Sequence, residues 1–384
     1  MIRAIIAILM LTSSLHAQPK PRARDLGVPF DGMPGPLNAI TDVAGVEVGH
    51  VTLNSGSGKK AIRTGVTSVF PLGKAKLERV FAAWWTLNGN GEMTGTAWVK
   101  ESGHLGTPIL ITNTHSVGVV RDAVIEWNVR RGAGDGYSGD FSLPVVTETW
   151  DGFLNDINGF HVKKEHVFQV LDGAKGGPVA EGNVGGGTGM VAHRFKGGIG
   201  TSSRVLAKDD GGFTVGVLVQ ANYGRRDLLH IAGVPVGREI PDLLPKQGHA
   251  DGAGSIIIIV ATDAPLLPHQ LERVVKRTAL GLGVVGGRGE NSSGDIFLAF
   301  STANPENAKS EGIAHLEMLP NERIDALFRA TADATEEAIV NALVAAETME
   351  GFNGNVVYAL PHDRLQDVLR KYNRLAEVLA SPQP

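Results

Sequence analysis

The feature that most constrains the fold is a short apolar run in the second half of the chain, Ser255-Ile-Ile-Ile-Ile-Val260. Its β-branched side chains favour a β-strand. No polar residue alternates with the apolar ones, so neither face of the strand suits contact with water. The run therefore predicts a strand that other parts of the protein cover on both faces.

Further apolar runs predict strands that are separated by helices. Strands are predicted at Thr107–Thr112 and Phe213–Gln220, and the helical period of Val119–Arg130 predicts a helix between them that ends at Gly132. Fifty of the 384 residues are glycine, about twice the usual ~7%, which indicates many tight turns. Because strands and helices alternate without a regular βαβ rhythm, the pattern predicts an α/β sandwich with sheets inside and helices outside.

Helices are predicted to dominate the chain after the apolar run. The first is expected to begin near Pro268, and its buried face is a set of four apolar residues: Leu271, Val274, Val275 and Leu280. Pro320 suits the first turn of a second helix, and a capping box of Asp333 with Glu336 predicts a third helix that runs to Met349. The last amphipathic helix is marked by Leu365, Val368, Leu369, Tyr372 and Leu379.

Several kinds of function are disfavoured by what the sequence lacks. A net charge of −4 provides no positive field that would hold nucleic acid. The absence of cysteine removes thiolate nucleophiles and thiolate-bound zinc, and the histidines form no His-Glu-x-x-His set, so we expect no metal. The segment Gly281–Gly286 matches the dinucleotide fingerprint, but it follows a predicted helix rather than a strand, so we expect no cofactor.

The first residues show the order of features found in a secretory signal peptide. Arg3 is followed by an apolar core over residues 4–11 and by small residues that end at Ala17. The core is too short to span a bilayer, and no later stretch is long and apolar enough to do so. We therefore expect residues 1–17 to be removed, and the mature protein, which starts at Gln18, to be periplasmic or secreted with no membrane partner.

A candidate nucleophile lies where the small residues Gly252-Ala-Gly254 meet the apolar strand at Ser255. Glycine permits a strained peptide, so the Ser255 hydroxyl is able to attack the carbonyl group of Gly254. Hydrolysis of the resulting ester would free the α-amine of Ser255, whose unperturbed pKa of about 7.7–8.0 suits it to accept the hydroxyl proton. The spacing alone is also that of an ordinary turn residue before a strand, and both interpretations stay open.

Long segments, in order along nearly the whole mature chain, match a known family. They are Asn38–His50, Asn88–Gly95, Leu110–Gly118, Leu154–Phe160, Glu181–Met190, Gln220–Gly224, Ser255–Pro265 and Ser292–Asp295. In these segments the chain resembles the self-processing serine aminopeptidases, which include L-aminopeptidase/D-esterase-amidases and β-peptidyl aminopeptidases. The resemblance implies a four-layer αββα sandwich of the N-terminal-nucleophile-like kind, self-cleaved into two subunits.

The same resemblance implies how the chain is divided. The cleavage site lies between Gly254 and Ser255. Cleavage there gives a large (α) subunit, residues 18–254, and a small (β) subunit, residues 255–384, and the two subunits form one domain. Because proteins of this family are assemblies of several αβ heterodimers, a homo-oligomer of such heterodimers is expected.

Position by position, the resemblance also implies a catalytic group. Ser255 matches the nucleophile, while Ser293 and Asp295 match a serine and an acidic residue that complete the hydrogen-bonded group, although some relatives have Glu in place of Asp295. Asn222 matches an amide that acts as an oxyanion donor. Trp150 falls where some relatives have a tyrosine near the oxyanion, and an indole N–H donates a hydrogen bond but cannot relay a proton. As alternatives, Ser293 and Asp295 suit an ordinary turn, and Asn222 suits a loop cap.

Together these residues predict an exported aminopeptidase, amidase or esterase that acts on small peptides or amino-acid amides through an acyl-enzyme on Ser255. A substrate amine requires an acidic anchor, for which Asp135 and Glu148 are the candidates. Preference among L-, D- and β-amino residues stays open. Two other functions also stay open: acyl transfer of the ornithine acetyltransferase type, which typically uses threonine as the nucleophile, and non-catalytic periplasmic binding, which requires an uncut chain.

Overall fold

Two mixed β-sheets form the centre of the protein in the computed structural model, which describes residues 20–76, 78–132, 141–245, 254–304, 307 and 311–377. The first sheet has the strand order β1 (Glu47–Ser55), β2 (Ile62–Phe70), β5 (Ile109–Asn113) and β6 (Val145–Thr149). The second sheet has the order β4 (His104–Leu105), β3 (Val80–Gly89), β12 (Gly294–Ser301), β11 (Ser255–Thr262), β10 (Thr214–Asn222) and β9 (Gly198–Val205). Two short hairpins pair β7 (Val191–Ala192) with β8 (Phe195–Lys196), and β13 (Met349–Glu350) with β14 (Val356–Val357).

Helices lie between and after these strands. Before β11 they are α1 (Thr96–Ser102), α2 (Val117–Arg130), α3 (Lys164–Asp172) and α4 (Val236–Glu239). After β11 they are α5 (Pro268–Val275), α6 (Thr278–Val285), α7 (Asp325–Val344) and α8 (His362–Lys371). In the part of the chain that the structure describes, no helix has the length and apolarity that crossing a bilayer requires.

Successive side chains of β11 enter two different apolar clusters. Ile257 and Ile259 pack in a cluster that contains residues of both sheets, among them Ile111 of β5. Ile256 and Ile258 pack on the opposite face, in a cluster that contains residues of α5, α6, α7 and α8. A third cluster packs α2 and α3 against the first sheet. Every residue of β11 is buried, so the prediction that this strand is covered on both faces is confirmed.

The sequence patterns located the other strands and the first long helix correctly. β5 and β10 overlap the two predicted strands, and α2 buries the predicted apolar stripe of Val120, Ala123, Val124 and Trp127. The glycine-rich fingerprint segment forms the end of α6 and the residue after it, Gly286, and α6 follows helix α5 rather than a strand. The combination of sheets and helices confirms the α/β class.

The helix predicted from Pro268 is two helices. α5 ends at Val275, and Leu280, which was expected on the buried face, lies in α6 and is 61% exposed. The reason is the close packing of α6 on α7. A Cβ on Gly281 would lie only 2.3 Å from the carbonyl oxygen of Ala332 in α7. Because glycine occupies the packed side of α6, the neighbouring Leu280 points outward.

The helix predicted from Asp333 is the second half of a longer helix. α7 continues through Asp333 and Glu336, so these residues lie in its interior and form no capping box. The Thr335 hydroxyl donates to a backbone carbonyl one turn earlier, which keeps this polar residue within the helix. Pro320 precedes a 3₁₀ turn instead of starting the helix, and Met349 lies beyond it in β13.

The final helix matches the prediction over most of its length. α8 buries Leu365, Val368 and Leu369. It ends one residue before Tyr372, which is exposed because it follows the last turn. Leu379 lies outside the described residues, as does the predicted signal peptide.

Strands of the second sheet bring polar residues together at one end. β11 and β12 are parallel, so Ser255 and Gly294 at their first positions lie side by side. β10 and β3 run in the opposite direction, so Asn222 at the end of β10 pairs with Ser255, and Asn88 near the end of β3 pairs with Asp295. This end of the sheet therefore collects residues from widely separated parts of the chain.

Candidate active site

Ser255 lies buried at the start of β11, at the border of a cavity. Its Oγ accepts a hydrogen bond from the backbone N–H of Gly294, with an N–O distance of 3.0 Å. The cavity has a volume of about 660 Å³ and is also lined by Glu92, Glu148 and Trp150. A cavity of this size suits a small molecule, so the Ser255 hydroxyl is placed to meet a small substrate.

The residue before Ser255 has a backbone conformation that favours glycine. The φ angle of Gly254 is 142°, in a region that residues with a side chain rarely adopt. A Cβ at this position would also lie 2.0 Å from the carbonyl oxygen of Asn222. Backbone geometry and close packing therefore both require glycine here, and such constrained positions are typical of functional sites.

Ser293 and Asp295 form a hydrogen-bonded pair beside the start of β11. The Ser293 hydroxyl donates to Oδ1 of Asp295 at 2.8 Å, and the backbone N–H of Ile256 donates to the same oxygen at 3.2 Å. Burial raises the pKa of Asp295 to about 6, although these hydrogen bonds lower it. Perturbed carboxyl groups of this kind cluster at catalytic sites. The pair therefore has the chemistry needed to orient or transfer a proton close to neutral pH.

Asn222 holds its side-chain amide in one orientation. Its Oδ1 accepts a hydrogen bond from the backbone N–H of Val191 at 2.8 Å, and its Nδ2 donates to the carbonyl oxygen of Trp150 at 2.9 Å. An amide nitrogen carries two N–H donors, so one remains for a further acceptor. Asn222 is the strand neighbour of Ser255, so the two side chains lie on the same face of the sheet.

Glu148 contributes a buried carboxylate from the first sheet to the same cavity. Its Oε1 accepts from the backbone N–H of Glu92 at 3.0 Å, and its Oε2 accepts from the hydroxyl of Thr114. Burial is the main cause that raises the pKa of Glu148, and the Thr114 bond opposes it. The cavity thus has a nucleophilic side chain on one sheet and an acidic one on the other.

The structure brings together most of the residues that the sequence pointed to. Trp150 directly follows β6, is 42% exposed and lines the cavity with Ser255 and Glu148. Asn222 pairs directly with Ser255, and Ser293 and Asp295 flank Gly294, which pairs with Ser255 on the other side. The other proposed anchor, Asp135, lies outside the described residues.

Sequence reasoning gave no role to three polar residues of this site. Glu92 and Thr114 line the cavity and contact Glu148, and the Asn88 side chain accepts a hydrogen bond from the backbone N–H of Asp295 at 3.1 Å. Each of them lies in a segment that carries the family resemblance, and this position was the signal from which a role in the site could have been inferred. In the ranges that the structure describes, no three His, Cys, Asp or Glu side chains lie close enough together to hold a metal ion.

Comparison with known proteins identifies the class. Over almost its whole length the chain is similar to two proteins named β-peptidyl aminopeptidase BapA. The one from Sphingosinicella microcystinivorans is 54% identical, with 97% of this chain and 98% of the relative covered. The one from Sphingosinicella xenopeptidilytica is 50% identical, with 96% and 95% covered.

Solved structures agree with these relatives. The L-aminopeptidase D-Ala-esterase/amidase from Ochrobactrum anthropi, a prototype serine aminopeptidase with a variant of the Ntn hydrolase fold, is 48% identical with a TM-score of 0.87, covering 93% of this chain and all of that one. A β-aminopeptidase from a Burkholderia species is 53% identical with a TM-score of 0.83, covering 91% and 99%.

The fold and these relatives define the protein as an α/β hydrolytic enzyme of the serine aminopeptidase class. The model of peptidase family S58 matches residues 38–357, and the chain belongs to that family. The family resemblance inferred from the sequence is confirmed. Of the functions that the sequence left open, aminopeptidase and amidase activity is the one that these relatives support.

Proposed function

We propose that this aminopeptidase is exported, cleaves its own chain between Gly254 and Ser255, and then uses Ser255 to release N-terminal residues from small peptides through an acyl-enzyme. The observation that carries the proposal is the junction itself. A buried serine hydroxyl borders the cavity and directly follows a glycine with a φ of 142°. This is the arrangement that attack on the preceding carbonyl group requires.

In the self-cleavage step, Oγ of Ser255 bonds to the carbonyl carbon of Gly254 while the bond from that carbon to the Ser255 nitrogen breaks. The products of this step are an ester and a free α-amine. Water then hydrolyses the ester, which leaves a carboxyl group on Gly254 and restores the serine hydroxyl. The proposed subunits are residues 18–254 and 255–384. Their continued association is supported by β11, which pairs with β10 of the large subunit.

The proposal includes a four-layer αββα sandwich formed jointly by the two subunits. It is supported by three apolar clusters: one between the first sheet and α2 and α3, one that contains residues of both sheets, and one between the second sheet and the last four helices. We further propose a homo-oligomer of αβ heterodimers, as the family resemblance implies.

In turnover, the α-amine of Ser255 accepts the hydroxyl proton as Oγ attacks the substrate carbonyl group. Ser293, bonded to Asp295, orients this amine or relays the proton, and the second N–H of Asn222 stabilises the oxyanion. The rest of the peptide leaves as an amine that takes up the proton. Water then cleaves the ester on Ser255 and releases the N-terminal residue.

The substrate ammonium group is proposed to pair with Glu148. The support is that this carboxylate is buried and lines the same cavity as Ser255, because a desolvated ion pair is stronger than one in water. Trp150 borders the cavity as well, and its indole N–H is proposed to donate to the substrate. Asp135 stays the second candidate for the anchor.

Among N-terminal residues we propose a preference for β-amino residues. The support is that both BapA relatives, which share about half of their residues with this chain over nearly its whole length, are named as β-peptidyl aminopeptidases. The similar Ochrobactrum enzyme is an L-aminopeptidase and D-Ala-esterase/amidase, so L- and D-alanyl compounds are the competing substrates.

A purified-protein experiment tests these statements together. The full chain is expressed with its first 17 residues in a bacterium, and protein from the periplasm is analysed by mass spectrometry and N-terminal sequencing. We expect two co-purifying pieces that begin at Gln18 and Ser255, and the highest kcat/KM on β-alanyl among β-, L- and D-alanyl p-nitroanilides. An intact chain with full amidase activity contradicts the mechanism, and a faster L-alanyl reaction contradicts only the substrate preference.

A further inference from the structure

Two buried basic side chains, Lys196 and Arg226, border the hairpin of β7 and β8, and burial lowers the pKa of Lys196 to about 7. Lys196 has no exposed surface, and its Nζ donates to the carbonyl oxygens of Met190 and Gly197, each at 2.9 Å, and to that of Gly187 at 3.4 Å. Arg226 is also buried, donates to five backbone carbonyls and lies over the ring of Phe195. Among the residues that the structure describes, neither side chain forms an ion pair.

Burying a charge without an opposite charge is costly. Removing the amino group would also be costly, because the carbonyl oxygens of Gly187, Met190 and Gly197 would lose this donor. The side chain at position 196 is therefore coupled to the backbone conformation of the hairpin. What the amino group supplies is a set of N–H donors at one point, three when it is protonated and two when it is neutral. They meet carbonyl groups on both sides of the hairpin, because Gly187 and Met190 precede β7 and Gly197 follows β8.

The tip of the hairpin is held just as firmly. His193 and Arg194 have φ angles of 48° and 60°, which side chains other than glycine adopt at a cost. The Arg226 guanidinium donates to both of their carbonyl oxygens, at 3.0 and 2.8 Å. Lys196 at the base and Arg226 at the tip therefore fix the hairpin backbone.

The hairpin in turn fixes Asn222. The N–H of Val191, the first residue of β7, is the donor to Oδ1 of Asn222. If the amide were reversed, its NH₂ group would face this N–H, donor against donor. The opposite end of the amide must then carry Nδ2, which donates to Trp150 and has its second N–H available.

We propose that Lys196 is a positioning residue for hydrolysis: by binding the carbonyl groups at the base of the hairpin, it holds Val191 so that the Asn222 amide presents its N–H to the oxyanion at Ser255. The proposal rests on the proposed function, in which Asn222 is the oxyanion donor. Lys196 does not contact substrate and acts only through Val191 and Asn222.

The test uses Lys196→Met, which keeps an unbranched side chain of similar length and removes the N–H donors of Nζ. It is measured on protein shown by mass spectrometry to be fully cleaved, with the best alanyl p-nitroanilide. Removing an oxyanion donor lowers kcat by about 10²–10³, so its misplacement should lower kcat by about tenfold to a hundredfold. KM should change less than about twofold, because the substrate ammonium group binds elsewhere.

Three further variants make the result specific. Lys196→Gln retains two N–H donors and should recover part of the loss. Lys74→Met is the matched control, since Nζ of Lys74 also donates to two backbone carbonyls, of Asp172 and Ala174, but outside the hairpin. It should leave kcat unchanged. In an Asn222→Ala background, Lys196→Met should cause no further loss of kcat.

The outcomes separate the two proposals. If Asn222→Ala leaves kcat unchanged, the oxyanion role of Asn222 is wrong and the positioning role of Lys196 is wrong with it. If Asn222→Ala lowers kcat but Lys196→Met does not, or if the two losses multiply in the double variant, only the role of Lys196 is overturned. Failure of both Lys196→Met and Lys196→Gln to fold also overturns it, because Lys196 would then be required for the fold itself.

Discussion

Asp295 and Glu337 are both buried carboxyl groups in the second half of the chain, but their pKa values shift in opposite directions. Burial raises the pKa of Asp295 to about 6, and its partners are a hydroxyl and a backbone N–H. Burial also acts to raise the pKa of Glu337, but Arg24 and Arg204 outweigh it, so the pKa is lowered. The first group is thus able to change its charge near neutral pH, whereas the second stays ionised.

The surroundings explain this difference. Both oxygens of Glu337 accept from Arg24 at 2.8 Å, Arg204 lies 2.8 Å from one of them, and Asn38 donates to the other. All three partners belong to the part of the chain before Ser255, while Glu337 belongs to α7. The contrast suggests that the two buried carboxyl groups have different roles at the boundary between the proposed subunits. Asp295 would take part in proton transfer at its end of the sheet, whereas Glu337 in α7 would hold the two proposed subunits together.

The largest expected effect is that of Ser255→Ala at the chemical end. Loss of Oγ removes the atom that attacks both the chain and the substrate, so the protein should remain a single uncut chain without amidase activity. Mass spectrometry and a p-nitroanilide assay measure the two effects. Ser68→Ala, which removes another buried hydroxyl that donates to Val170 O, is the control and should still be cut. A cut Ser255→Ala chain would contradict the assignment.

Next in size is the effect of Ser293→Ala. If the Ser293 hydroxyl orients or relays the proton, its loss should lower kcat by roughly 10²–10⁴-fold, as is usual for acid–base assistance. The comparison is made on fully cleaved protein, and KM should change far less. Near-normal turnover would show that Ser293 is a turn residue and leave the α-amine of Ser255 as the base without a helper.

Glu337→Gln should have the reverse profile, with a loss of stability and almost normal kcat. It leaves the buried guanidinium of Arg204 without its counter-charge, for which about 3–5 kcal/mol is typical. Urea unfolding at neutral pH measures this. Because the folded pKa of Glu337 is lowered, its contribution exists above the unfolded pKa and is lost as pH falls through the folded one, so the variant and the wild type should converge in acid. A drop in kcat without a change in the free energy of unfolding would contradict the structural role of Glu337.

The smallest effect is a pH dependence. The α-amine of Ser255 must be neutral to accept the proton, so kcat should begin to fall below its unperturbed pKa of about 7.7–8.0. Asp295 must be ionised to accept strongly from Ser293, and its pKa is about 6, so a second, steeper fall is expected below that value. Asp295→Asn should have lower activity and lack this acid limb. An unchanged limb in that variant would assign it to another group, of which the buried Glu148 is the first to examine by Glu148→Gln.

The structure agrees with the sequence-based predictions where a feature depends on the local sequence pattern. The apolar run at Ser255 predicts a doubly covered strand by itself, and the requirement for glycine at position 254 follows from the strained peptide. The resemblance supplied Asn222, Ser293 and Asp295, and the need of a substrate amine for an acidic anchor supplied Glu148. It could not supply their contacts, because these join residues that are far apart in the sequence.

The features that sequence could not give depend on such distant contacts. Leu280 lies on an apolar helix, and only the packing of Gly281 on α7 decides that it points outward. Lys196 looks like an ordinary surface lysine until the fold places three carbonyl groups around it. The side-chain type of Glu92 does not indicate its role, because its backbone N–H, rather than its side chain, contacts Glu148.

The strand order of the second sheet has a consequence for folding. Its central parallel strands, β11 and β12, lie between β10 and β3, which come from the part of the chain before Ser255. A cut before Ser255 would turn refolding from a one-molecule into a two-molecule reaction, so the melting temperature of the mature protein would depend on its concentration. The uncut precursor would unfold and refold reversibly as a single chain. The lifetime of the mature enzyme would instead depend on how slowly it unfolds.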